Sequence, residues 1–166
     1  MKNIFLGIIP LLILIMGCAS TSSSIVGKTL DNALMAASAE IDGTLAANTI
    51  IAPVNFNSTD NFSVYVLDEL TANLVKSKHL IVIDRTEIDL RRNELDFQMS
   101  GEVSDESMQS LGRTLGAQSI ISGSLTELNG QYRIVIRVLN VETGIIEVMY
   151  RDKIRIDATT SALLYR

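Results

Sequence analysis

A change in hydrophobic periodicity along the chain constrains the fold more than any other feature. Up to residue 115 the longer series of apolar residues have helical spacing. In one of them an apolar residue occurs at every fourth position: Phe62, Val66, Leu70 and Leu74. After residue 117 apolar and polar residues alternate instead. Helices bury side chains with a period of 3.6 residues and strands with a period of 2. The sequence therefore predicts a part with helices and short strands, followed by a part built from strands alone.

The order of the predicted elements defines a fold class. Helical stripes cover residues 25–45, 60–74, 86–99 and 104–115, and strand patterns cover 48–55, 79–84, 117–128, 131–139 and 146–156. The strand at 79–84 is of the fully buried type. Asn129-Gly130 is a strong two-residue hairpin signal. Two β-α-β steps predict parallel neighbours with right-handed crossovers, and the last three strands predict an antiparallel meander. We expect an α/β fold in which helices pack on one mixed sheet.

The N-terminus has the pattern of a bacterial lipoprotein signal. Lys2 precedes a small and apolar run at residues 4–17, which is too short to span a bilayer, and the run ends at Cys18. Residues 1–17 are predicted to be a signal peptide and Cys18 to carry the lipid. Residues 18–24 form the lipidated cysteine and a short Ser-rich tether, whose last six residues reach at most about 20 Å. Residues 25–166 are predicted to form a single domain.

Composition excludes several classes of function. With one cysteine and one histidine the chain has too few ligands for an ordinary zinc site and cannot form an internal disulfide. The formal net charge of −5 disfavours nucleic acid as a partner. Neither a phosphate-binding glycine loop nor a hydrolase motif is present. We expect no catalytic residues, no cofactor and no metal.

Two places in the sequence offer acid–base chemistry. His79 opens an apolar strand after two lysines, and Asp84-Arg85 follows that strand at its carboxyl end, where α/β proteins place ligand sites. Further charges follow Asp84: Asp89, Arg91, Arg92, Glu94 and Asp96. A carboxylate hydrolase is the enzymatic interpretation. The structural interpretation, which we favour, makes His79 a boundary residue, Asp84 a helix cap, and the remaining charges a solvated face with local ion pairs.

Basic residues are concentrated in the last part of the chain. The sequence from Gln131 onward carries a charge of +2, whereas residues 19–130 carry −8. Five of these cations have the parity of the side of the strands that faces away from the core: Arg133, Arg137, Arg151, Lys153 and Arg155. They form a candidate interaction patch for an acidic partner or an anionic polymer. The alternative is an ordinary solvated face whose charges discourage edge pairing.

Several ordered motifs resemble the CsgG/LpoB group of bacterial lipoproteins. The first is Val82-Ile83-Asp84-Arg85, and the second is Leu95 with Phe97-Gln98 and Ser100-Gly101. The third is Leu111-Gly112 with Leu115-Gly116-Ala117-Gln118 and Gly123, and the fourth is Val141-Glu142-Thr143-Gly144. The resemblance extends over most of residues 48–156. Without reference to the family, Gly112 is expected to let a helix approach the sheet, and Gly116 is expected to end that helix.

The resemblance implies a non-catalytic lipoprotein of the outer membrane that faces the periplasm and acts by protein–protein contact. LpoB-like members stimulate a peptidoglycan synthase, a penicillin-binding protein, and this is the function we expect. CsgG-like members oligomerise into a secretion channel, which is the alternative. The chain differs from LpoB-like members in its short tether. It differs from CsgG-like members because it lacks additional strands for a barrel. Cys18 is the one functional residue that the resemblance carries over.

Overall fold

The computed structural model describes residues 27–94 and 104–165. The predicted signal peptide, Cys18 and the tether lie outside these residues, as does the motif at residues 95–101. The division of the chain into signal, tether and domain therefore stays a prediction.

Ten elements follow one another along the described chain. The helices are α1 (Leu30–Thr44), α2 (Asp60–Ser77), α3 (Arg85–Glu94), α4 (Asp105–Leu115) and α5 (Ala158–Leu164). The strands are β1 (Ile50–Asn57), β2 (Ile81–Val82), β3 (Ser119–Leu128), β4 (Gln131–Asn140) and β5 (Ile146–Ile154).

The five strands form one mixed sheet in the order β2-β1-β3-β4-β5. Strand β1 pairs in parallel with both β2 and β3, and β4 and β5 continue the sheet in antiparallel pairs. The β3–β4 hairpin turns at Asn129 and Gly130, which have φ values of 54° and 71°. Positive φ at both positions is what a tight two-residue hairpin requires. The predicted α/β class, parallel steps and terminal meander are confirmed.

Helices cover the two faces of the sheet unequally. On one face, α1 and α2 bury residues such as Leu34 and Phe62 against Ile136 and its neighbours along β3, β4 and β5. On the other face, α3 and α4 contribute a smaller core that includes Ile88 and Met108. The strand residues of this smaller core come mainly from β1 and the first part of β3, with Leu139 at the end of β4. Most of the β4 and β5 surface on this side is not covered by either helix.

Two glycines shape the connection from α4 to β3. A Cβ atom at Gly112 would lie 2.6 Å from a methyl group of Val141 and 3.1 Å from one of Ile120, so only glycine lets α4 approach the sheet this closely. Gly116 ends α4 in the left-handed conformation, with φ 68°, and its N–H donates to the carbonyls of Gly112 and Arg113. Both expectations for this segment are confirmed.

The structure differs from the sequence-based prediction at β2 and at the C-terminus. The predicted buried strand at residues 79–84 shrinks to two residues at the sheet edge, and the side chain of Ile81 is 50% exposed. Edge position explains the difference, because only β1 pairs with β2 and α2 contacts one of its faces. Helix α5 was not predicted. Asp157 caps it by accepting a hydrogen bond of 2.9 Å from the N–H of Thr160.

Candidate protein-interaction surface

The predicted basic residues lie on the side of β4 and β5 that α3 and α4 leave open. Strand register places Arg133 directly opposite Lys153 and Arg151 opposite Val135, and Arg137 follows two residues further along β4. Both Arg133 and Arg151 are exposed. We call this surface the cationic face and define it by Arg133, Arg137, Arg151, Lys153 and Arg155. The alternation seen in the sequence thus brings cations from two strands together.

Arg137 differs from its neighbours because it already has a protein partner. Its guanidinium donates a 3.2 Å hydrogen bond to the carboxylate of Asp105 in the first turn of α4, and both side chains are partly exposed. This ion pair ties α4 to the middle strand of the meander. Asp105 also has a favourable position at the positive end of the helix dipole. Arg137 therefore forms the border between the cationic face and α4.

The opposite border of the cationic face lies where the described chain begins. The Lys28 N–H donates to the Lys153 carbonyl at 3.0 Å, and the Arg155 N–H donates to the Lys28 carbonyl at 2.8 Å. Arg155 follows the last residue of β5 and is exposed. Since Gly27 directly precedes Lys28, the predicted tether would join the domain beside Lys153 and Arg155.

A polar triad fixes Lys28 to β5 on the helix-covered side of the sheet. The Lys28 ammonium lies 2.7 Å from Asp152, and the Tyr150 hydroxyl donates to the same carboxylate at 2.9 Å. The bond to Asp152, helped by Tyr150, raises the pKa of Lys28. Burial would raise the pKa of Asp152, but the hydrogen bonds from Lys28, Tyr150 and the Lys153 N–H together lower it. Asp152 therefore stays charged and holds the first described residues against the edge of the sheet.

His79 is a structural residue in this fold. It lies between α2 and β2, partly buried, with Nε2 3.1 Å from the carbonyl of Leu45. Its own carbonyl accepts a 2.7 Å hydrogen bond from the N–H of Asn48.

The Asp84 cluster forms a helix cap and a set of ion pairs. Asp84 accepts a 2.8 Å hydrogen bond from the N–H of Thr86, and hydrogen bonding by the Thr86 side chain, followed by this N–H, lowers the pKa of Asp84. Arg85 pairs with Asp68 at 3.2 Å and lies 3.7 Å from Asp89. Further pairs within α3 join Arg91 to Glu87 and Arg92 to Asp89. The side chain of Glu94 and the whole of Asp96 lie outside the described part of the chain. This arrangement agrees with the structural interpretation favoured from the sequence, in which Asp84 caps a helix and the other charges form local ion pairs.

Two kinds of feature are absent from the described ranges 27–94 and 104–165. In these ranges no group of three or more His, Cys, Asp or Glu side chains is placed to hold a metal ion. No helix in the same ranges is both long and apolar enough to cross a membrane.

Sequence comparison identifies the family. A family model described as peptidoglycan-synthase activator LpoB matches residues 24–154. The chain belongs to the LpoB family. The match includes all five strands and the whole cationic face except Arg155. The resemblance to LpoB seen in the ordered motifs is confirmed, and no curated protein matches the chain in a direct sequence search.

Solved LpoB structures have the same fold at low sequence identity. The C-terminal domain of LpoB from Salmonella enterica aligns with a TM-score of 0.63 at 13% identity, covering 76% of this chain and 98% of that domain. The corresponding Escherichia coli domain gives a TM-score of 0.62 at 12% identity, with the same coverage of 76% and 98%. The NMR structure of E. coli LpoB aligns with 93% of this chain and 83% of its own, with a TM-score of 0.58 at 12% identity.

Proposed function

We propose that this protein activates a peptidoglycan synthase by direct contact and catalyses no reaction itself. The observation that carries the proposal is the LpoB family match over residues 24–154, and the family is one of peptidoglycan-synthase activators. The arrangement of His79 and the Asp84 cluster agrees with a non-catalytic role, because each has a structural use in the fold. No observation favours the secretion-channel alternative or the carboxylate hydrolase.

The proposal includes a place in the cell. LpoB homologues are envelope lipoproteins. We infer that Cys18 is lipidated, that the anchor holds the domain at the outer membrane, and that the domain faces the periplasm. Two or three acyl chains on one cysteine are sufficient for firm anchoring. The short tether would then keep the domain close to its bilayer, so the synthase would meet it there.

The cationic face is the contact surface that we propose. Arg133 and Arg151 are exposed and make no ion pair in the described part of the chain. Their charge is therefore available to a partner, whereas that of Arg137 is partly neutralised by Asp105. Since the rest of the mature chain is acidic, an acidic partner would be attracted to this side of the domain and repelled from the others.

Photo-crosslinking in intact cells tests the proposal. A photoreactive amino acid at Thr126, which is exposed and opposite Arg133 on β3, would lie on the cationic face. A matched probe at Glu40, exposed on α1, would lie on the opposite side of the sheet. We expect the Thr126 probe to capture a penicillin-binding protein and the Glu40 probe to capture much less of it. Capture of copies of the same chain in a ladder would favour an oligomeric component instead.

A further inference from the structure

Among the described residues, only Lys28 pairs with the outer edge of β5. Strand β5 is nine residues long and lies at the end of the sheet. Lys28 is its neighbour on the outer side, and Lys28 pairs with the end of the strand alone, through Lys153 and Arg155. Those two bonds also show that the odd-numbered residues of β5 direct their backbone groups outward. In the described part of the chain, the outward N–H and C=O groups of Met149 and Arg151 have no hydrogen-bond partner.

The pairing of Lys28 shows that this edge accepts a further strand. Its bridge to Ile154 is parallel, with hydrogen bonds of 3.0 Å and 2.8 Å. An unpaired edge of this kind binds extended segments through the backbone, and the side chains beside it determine which segment fits. A bound segment could continue the same ladder along Arg151 and Met149.

The side chains along the edge favour an acidic occupant. Arg151 and Lys153 lie at the edge on the cationic side, with Arg133 one strand further in. Side chains on an added strand would stand about 5 Å from those of β5 on the same face. Opposite charges in such cross-strand positions stabilise the pairing, whereas a second copy of β5 in register about Arg151 would place like charges together. The same cations that discourage self-association thus select an acidic strand.

We propose that an extended segment of the synthase, acidic at alternate positions, adds to β5 as a sixth strand beside the cationic face. The proposal rests on the proposed function and states how the contact is made. Backbone hydrogen bonds to Met149 and Arg151 would supply part of the affinity, and pairing with Arg151, Lys153 and Arg133 would supply the selectivity.

A proline substitution tests the backbone part of the proposal. Met149→Pro removes one outward N–H, and an edge strand tolerates proline where the N–H is not used by the sheet. Met149→Ala is the matched control, since it removes the side chain and keeps the N–H. With the purified peptidoglycan synthase of the same bacterium, we expect the proline variant to bind at least about tenfold more weakly than the alanine variant. Equal affinities of the two variants, both folded, would overturn the proposal.

Hydrogen exchange on the unmodified protein gives a test that does not depend on a variant folding. We expect the amides of Met149 and Arg151 to exchange at least about tenfold more slowly in the complex than in the free full-length protein. Unchanged exchange in the complex overturns the proposal. Slow exchange already in the free protein would mean that the chain itself or a second copy occupies the edge, and this also overturns it.

The outcomes separate this inference from the function on which it rests. If the wild-type protein does not bind the synthase, the proposed function fails and the strand addition fails with it. If the protein binds and stimulates the synthase, but the amides of Met149 and Arg151 are unprotected, the strand addition alone is wrong. The contact would then use the side chains of the cationic face without the β5 edge.

Discussion

At the scale of single residues, Gly116 has no steric role beyond its own backbone conformation. Apart from the residue itself and its chain neighbours, no heavy atom of the described residues lies within 4 Å of a Cβ atom built at this position, and φ is 68°. A substitution here therefore measures backbone strain with little change in packing. The left-handed conformation costs a residue with a Cβ roughly 1–2 kcal/mol, and β-branched residues tolerate it least.

We predict that Gly116→Val lowers the free energy of unfolding by more than about 1 kcal/mol. Gly116→Asn should cost less, because asparagine adopts the left-handed conformation more readily than other residues with a Cβ. Equilibrium unfolding in urea at neutral pH measures both variants. Equal stability of the valine variant and the wild type would show that the backbone at residue 116 is not left-handed in solution.

At Gly112, in contrast to Gly116, the constraint is the lack of space for a side chain. A methyl group added there meets Val141 at 2.6 Å, a distance that forces either α4 or Val141 to move. We predict that Gly112→Ala destabilises the domain by about 1–3 kcal/mol. The double variant Gly112→Ala with Val141→Ala should lose less free energy of unfolding than the sum of the losses in the two single variants. Strict additivity in urea unfolding would contradict a direct contact between α4 and residue 141.

At the scale of secondary-structure elements, α5 depends on one capping residue. Asp157 accepts hydrogen bonds from both the N–H and the hydroxyl of Thr160, each at 2.9 Å. The backbone bond, followed by the hydroxyl bond, lowers the pKa of Asp157. Thr160 is fully buried, and the hydroxyl of Thr59 at the start of α2 donates to the carbonyl of Leu163. The cap therefore orders a helix that packs on α2.

We predict that the Asp157 cap contributes a pH-dependent part of stability. Because the folded pKa of Asp157 lies below the ordinary carboxyl pKa of about 3.9, the contribution is complete above about pH 5. It is lost as the pH falls through the lowered folded pKa. Asp157→Ala should cost about 1 kcal/mol at pH 7. Asp157→Asn should keep most of the cap, and its stability should fall less than that of the wild type between pH 5 and pH 2. Parallel pH profiles for wild type and Asp157→Asn would contradict this account.

The elements that could be predicted from sequence are those whose signal is local and repeated. The four-residue spacing from Phe62 to Leu74 and the alternation along β4 each recur over several turns or residues, so the period identifies the element. Asn129-Gly130 is a hairpin signal by itself. In contrast, α5 is only seven residues long, and its start is marked by the single cap at Asp157. The apolar run at β2 has the composition of a buried strand, and only the strand order shows that it lies at the edge.

The residues of the candidate surface could be predicted from the sequence, but the contacts that they make could not. Parity along β4 and β5 was sufficient to place Arg133, Arg151 and Lys153 on one side of the sheet. The pairing of Arg137 with Asp105 depends on how α4 crosses the sheet, and no local pattern encodes that distance. Likewise, the contact of Lys28 with Asp152 joins residues 124 positions apart. The edge position of β5, with no backbone partner beyond Lys28 among the described residues, also appears only in the assembled sheet.

At the scale of the whole molecule, the cationic face and the proposed lipid anchor would lie at the same end of the domain. The cationic face ends at Lys153 and Arg155, next to the place where Gly27 enters the domain. Gly27 follows Cys18 by nine positions, so the chain between them would span at most about 30 Å. A lipid on Cys18 would therefore keep this end of the sheet near the membrane surface.

We predict that Cys18→Ala releases the protein from the membrane fraction into the soluble part of the envelope. The reason is that the lipid on Cys18 would be the anchor, and the described domain has no helix that could replace it. Fractionation after a high-salt wash, followed by immunoblotting, measures the distribution. If the variant still sediments with membranes, another contact holds the protein there.

Stimulation of a purified peptidoglycan synthase tests the central claim most directly. The measured quantity is the rate of glycan polymerisation with the wild type, with Arg133→Gln/Arg151→Gln, and with a control, Lys76→Gln/Lys78→Asn. The control loses one charge in the last turn of α2 and one at the residue that caps this helix. We predict that the wild type and the control accelerate the reaction equally, and that the double arginine variant needs at least about tenfold more protein for the same effect. The difference should shrink with added salt, because exposed charges are screened. No acceleration by the wild type would contradict the activator function, and equal acceleration by all three proteins would contradict the role of the cationic face.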